Sequence, residues 1–120
     1  MIGLLALVGL GIVAFTVIGR PMKSGTWDGL LNYVADTAVF RPCSPRETWW
    51  VKGKRYTDIG DEIKKRHGEI ADSPYDTVYA RFRGQINKNK GQYGPLGTYH
   101  RVLYVSDIIE IRERRSDDCK

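Results

Sequence analysis

Two cysteines, two histidines and a scatter of carboxylates and serines are the residues of this chain best suited to chemistry. Cys43 and Cys119 are an even number of thiols in a small domain. Bridged, they would close most of that domain into one loop, worth about 4 kcal/mol in the chain-entropy account. Such a bond persists only in an oxidising compartment. Two unrelated free thiols, one buried and one on a terminal tail, are the alternative. His67 and His100 fall at a helix end and at the start of a strand, and could join Cys43 around a metal only by coincidence of folding. Asp58, Asp61 and Glu62 have the spacing of a helix cap and first turn rather than of an acid–base pair. The serines, at 24, 44, 73, 106 and 116, sit in no nucleophile elbow, and Gly91 to Gly97 lacks the Lys-Ser/Thr ending of a phosphate loop. No catalytic group, metal or cofactor is expected.

Binding has more support. Tyr79, Arg81 and Arg83 share the outward register of one strand, and Lys88, Lys90 and Tyr93 follow in the adjoining loop. Rings beside cations could contact an anionic lipid, a glycan polymer or a protein, or stack with single-stranded nucleic acid. Trp49-Trp50 places one indole on each side of its strand. One is expected in the core; the other, assigned to Trp49, joins the candidate binding face. The competing reading is a solvated sheet face that uses Tyr for its strand propensity.

The elements that must position these groups begin with a segment unlike the rest. Ile2 to Gly19 is an uncharged run of eighteen residues ending at Arg20-Pro21. At the helical rise it would span about 27 Å, close to a bilayer core. Residues 1–20 are therefore expected to be a signal anchor or a signal peptide, tying the chain to a membrane through residues 2–19, and 21–25 a linker. Arg20 and Lys23 flank the run on the domain side, which by the positive-inside rule would keep the domain in the cytoplasm. The cysteine pair argues for export instead. An exported domain seldom meets nucleic acid, so the expected partner is a protein or an anionic envelope component. The net charge of +5 is spread along the chain and suits such an acidic partner.

The remaining hundred or so residues suffice for one modest core. Thr26 to Ala35 reads as a first strand, Asp36-Thr37 as a tight turn, and Ala38 to Arg41 and Thr48 to Lys52 as the next two strands of a meander. Pro42 and Pro45 interrupt between them. A short helix follows Asp58, with Ile59 and Ile63 on its apolar stripe and Gly68 as its stop. Thr77 to Ile86 alternates strictly, and Tyr99 to Arg112 forms a last strand whose apolar parity switches near Asp107, as a bulge requires. Three strands, a helix and two strands is the order of a small five-stranded OB-like barrel over residues 26–112, mostly β, with a charged tail at 113–120. A lipocalin-like half-barrel and an irregular α+β sandwich are the alternatives.

The segment Tyr33-Val34-Ala35-Asp36-Thr37-Ala38-Val39-Phe40-Arg41-Pro42-Cys43 resembles the Tyr-x-Ala-Asp-x-Ala-x-Phe-x-x-Cys stretch of the C-terminal OB-fold domain of NlpE-like envelope lipoproteins. Val78 to Gly84 and Leu103 to Ile111 are similar to that family's last two strands. The resemblance implies an envelope OB domain in which Cys43 pairs with a cysteine near the chain end, here Cys119. It also implies a sensor or binding module whose disulfide reports on oxidative folding. The family's Cys-x-x-Cys barrel and lipid-modified first cysteine have no counterpart, so copper and lipid attachment do not carry over. The expected function is a non-catalytic, membrane-tethered envelope module that binds a partner or senses envelope state. A structural accessory subunit of a larger membrane complex is the alternative.

Overall fold

The computed structural model describes residues 21–120, and the expected signal anchor lies outside them. Among the described residues no helix is long and apolar enough to cross a membrane. The elements are β1 (Met22–Val34), β2 (Thr37–Pro42), β3 (Trp49–Gly53), α1 (Ile59–Ile70), β4 (Val78–Asn87) and β5 (Arg101–Arg112). The strands close into a barrel in the order β1-β2-β3-β5-β4, β4 returning to β1. All neighbours are antiparallel except β3 and β5, which the helix-bearing crossover leaves parallel. Closure removes the open half-barrel and sandwich alternatives.

Length and bending of β1 make closure possible. Its first part pairs with β4 and its last with β2, and Gly29 to Leu31 pair with both. Gly29 sits at this crossing because an added Cβ would lie 2.2 Å from the Arg41 carbonyl oxygen. The strand begins at Met22, so residues 22–25 belong to the barrel rather than to a linker. The β1–β2 turn is Ala35-Asp36, one residue earlier than expected, and both residues have positive φ, 48° and 63°. That pair of left-handed residues gives the hairpin the twist its strands need.

Alternation fills the interior. Val78, Ala80, Phe82 and Ile86 of β4 point inward against Leu31, Phe40, Trp49, Leu103 and Val105. Trp27 meets Trp49 edge-on at a centroid distance of 5.4 Å. On β5 the register against β4 slips twice, skipping Ser106 and Ile109, which accounts for the parity switch near Asp107. Helix α1 buries Ile63 and His67. It runs through Gly68, the expected stop, to Ile70. Ile70 and Ala71 pack on the core, and the Ala71 N–H completes another helical bond to the His67 carbonyl at 2.8 Å. The tail is not loose: Cys119 is disulfide-bonded to Cys43, just past β2.

Candidate binding face

The outward register of β1, β4 and β5 forms three rows across the barrel. Asp28, Arg81 and Glu110 make one, Thr26, Arg83 and Asp107 the next, and Ser24, Gln85 and Tyr104 the third. Two carboxylates thus flank the single cation of the first row and one faces the cation of the second, so the expected run of cations is broken up.

The sequence-selected residues separate accordingly. Trp49 is fully buried, and its assignment to the binding face is corrected: it shares the inward register of β3 with Val51 and joins Phe40 and Trp27 inside, while Trp50 is the partly exposed indole. Lys52 stacks its ammonium on the Trp50 ring at 4.8 Å. Tyr79 does hold the outward register but is only 4% exposed, because the C-terminal turn covers it. The Arg112 guanidinium lies 4.0 Å from the Tyr79 ring centroid. Arg112 is in turn gripped by Asp118 through two hydrogen bonds of 2.7 and 3.1 Å, and by Glu110 at 2.7 Å. The Tyr79 hydroxyl donates to Asp28 at 2.7 Å, and burial together with that carboxylate raises its pKa. Hydrogen bonds from Arg112 and the Arg115 backbone hold Asp118 below the usual carboxylate range. Cys43–Cys119 fastens this turn in place, so the disulfide acts as a clasp over the Tyr79 end of the face.

Lys90 is also committed. It approaches Glu47 at 3.3 Å, and Glu47 receives hydrogen bonds from Trp49 Nε1 and Arg101 Nε, both at 2.8 Å. Burial opposes ionisation of Glu47, but these three donors outweigh it and bring the carboxyl from 4.5 down to about 2. Arg101 also donates to the carbonyls of Asn87 and Lys88, and Asn87 Oδ1 accepts from the Val102 N–H at 2.9 Å. His100 adds a clamp, its Nδ1 accepting from the Thr48 N–H at 3.0 Å. The 88–100 loop is thereby tied to the start of β3. Lys88 is exposed beside it, and Tyr93 is half-buried, bridged to Tyr99 through the backbone. Sequence reasoning missed Glu47; the only signal was its shared parity with Trp49.

Arg81 donates weakly to the Tyr79 hydroxyl at 3.4 Å. Arg83 is loosely held, 3.8 Å from Asp107 with both side chains more than half exposed. It lies in an open groove of about 450 Å³ across β1, β4 and β5. Ser24 and Thr26 line the groove from β1, Arg83 and Gln85 from β4, Tyr104 and Ser106 from β5, and Lys54 from just beyond β3. The glycine pair Gly25 and Gly84 forms its floor. A Cβ on Gly84 would stand 2.1 Å from the Tyr104 carbonyl oxygen, so only glycine lets β4 and β5 meet there. Of the expected face, then, Arg83 reaches the groove, while Tyr79, Lys90 and Trp49 serve the structure. No group of three or more metal-ligating side chains is found among the described residues. Comparison with protein-family models, curated proteins and solved structures finds no match.

Proposed function

We propose that this chain is a membrane-tethered, exported OB-fold module that carries out no reaction and binds a partner, or reports on envelope state, through the outer face of its barrel. The observation that carries this reading is the Cys43–Cys119 bond. It joins the end of β2 to the chain's last turn, and such a bond lasts where the surroundings are oxidising. Export fits it, the apolar run at 2–19 supplies the tether, and the resemblance around Tyr33–Cys43 points to the same class. The OB assignment is supported by the strand order, the parallel β3–β5 pair and the helix between β3 and β4. A non-catalytic role is supported by how the shifted carboxylates are used. Glu47 and Asp118 spend their hydrogen-bonding capacity on Arg101, Lys90 and Arg112 within the fold.

Two measurements test this. Protease added to intact spheroplasts should digest the barrel domain, and protection until lysis would contradict export. Purification in mild detergent should yield the chain without a stoichiometric companion. A fixed companion, with aggregation once it is stripped away, would replace the module by an accessory subunit of a membrane complex.

A further inference from the structure

The groove over Gly25 and Gly84 has a composition that selects among ligands. Its nine lining residues include two cations, Lys54 and Arg83, and no carboxylate. Three hydroxyl side chains (Ser24, Thr26, Ser106), the Gln85 amide and the Tyr104 ring complete it, and none of the nine is aliphatic; the Ser106 hydroxyl is already engaged by the Arg83 carbonyl at 3.1 Å and the Asp107 carboxylate at 3.2 Å. We propose that this groove binds a carboxylated glycan segment, Arg83 and Lys54 taking its acid groups and the Ser24 and Thr26 hydroxyls with the Gln85 amide taking its sugar hydroxyls. The proposal rests on the binding-module reading above and specifies its ligand.

Arg83 is set up for exchange of partners. Its contact to Asp107 is 3.8 Å long, with side-chain exposures of 60% and 57%, a geometry of little net worth in water. A ligand carboxylate could meet the same guanidinium in a bidentate pair, which is shorter and stronger. The polar side chains argue for more than an isolated anion. Serine, threonine and glutamine each offer both a donor and an acceptor, and a sugar hydroxyl needs both, whereas a phosphate group uses donors alone. Ser24 and Gln85 are joined only by a long 3.3 Å bond, and both are exposed, so they can re-pair with a ligand.

Shape points the same way. Three adjacent strands spaced about 4.8 Å apart make a floor about 10 Å across, the scale of a short oligosaccharide rather than a single ion. Tyr104 offers one ring for the apolar face of a sugar. Single-stranded nucleic acid would require a series of rings for successive bases, and the groove has one. A lipid surface would require apolar side chains around the cations. The large exposed ones among the described residues, Val34, Tyr56, Tyr75, Leu96 and Ile109, lie outside the groove lining.

The test is calorimetric titration of the detergent-solubilised full chain with tetragalacturonate, a probe that carries only carboxylates and hydroxyls. Its methyl ester, a thymidine oligonucleotide and phosphatidylglycerol vesicles are titrated in parallel. The expected result is saturable binding of tetragalacturonate, weakened at least ten-fold by esterification and by the double substitution Lys54→Gln/Arg83→Gln. Arg41→Gln, an exposed cation outside the groove, should leave binding unchanged. Absent binding, equal binding of the ester, insensitivity to the double substitution, or tighter groove-dependent binding of the oligonucleotide or vesicles would each overturn the proposal. An exported, disulfide-bonded chain that ignores tetragalacturonate refutes the glycan alone. A reduced cytoplasmic chain refutes the module reading beneath it.

Discussion

Replacing Glu47 by Gln probes the best-defined polar cluster in the barrel. The Glu47 side chain is 3% exposed and its Oε1 accepts from both Trp49 and Arg101. Glutamine keeps the shape and one acceptor oxygen but removes the charge facing Arg101, whose own side chain is 14% exposed, and presents an amide N–H₂ to Lys90. Holding the carboxyl at about 2 instead of 4.5 means that its ionised form stabilises the fold by about 3 kcal/mol. Glu47→Gln should therefore lose about 3 kcal/mol at pH 7, a large fraction of a small domain's stability. The sign with pH follows. Because the folded value lies below the unfolded one, the stabilisation is complete above about 4.5 and drains away as pH falls toward 2. The wild-type chain should thus weaken across that window, and Glu47→Gln should lack this part of the slope. Urea unfolding of the oxidised protein, followed by tryptophan fluorescence from pH 7 to 2, reads both quantities. A loss under 1 kcal/mol at pH 7, or an unchanged slope below pH 4.5, would refute the account of the cluster.

Further outcomes follow from the same geometry. Cys43→Ser should lower stability by about 4 kcal/mol, the chain-entropy value for a bridge spanning 76 positions, and should make the residues after Arg112 sensitive to protease. An unchanged melting temperature would show that the clasp contributes nothing. Gly84→Ala should destabilise by several kcal/mol, on the order of the costliest single substitutions, because its Cβ would meet the Tyr104 backbone at 2.1 Å. Gly68→Ala should instead stabilise by up to about 1 kcal/mol, since it lies within α1 with nothing within 4 Å of the added methyl. Denaturant midpoints of the two variants should move in opposite directions.

Legibility in the sequence tracked the range of the interactions. Strict alternation along Thr77–Ile86 identified β4 and its inward face, because a half-buried strand forces period two on its residues. The parity change near Asp107 likewise betrayed the slips opposite Arg81–Gly84. The helix was legible from its charges and Ile59/Ile63, but its end was not. Gly68 is locally a fit stop, and the helix continues because Ile70 and Ala71 find the core, a contact made by tertiary structure. Trp49 shares its parity with Val51, and Trp50 with Thr48 and Lys52, so period two along β3 already turns Trp49 inward, and placing it on the binding face went against that pattern. Only closure of the barrel put Trp49 within 5.4 Å of Trp27. The candidate face was legible at Arg83 and not at Tyr79 or Lys90. Their partners, Arg112 at the end of β5 and Glu47 just before β3, are distant in sequence. The groove itself depends on β1, β4 and β5 meeting with paired glycines, which no local pattern displays.

The central claim is that the barrel works in an oxidising compartment with its chain end clasped by Cys43–Cys119. The direct measurement is alkylation of freshly isolated membranes under native and then reducing conditions, resolved by mobility shift. The account predicts that neither thiol alkylates before reduction and both do after it. Free alkylation of Cys43 and Cys119 without reductant would contradict it.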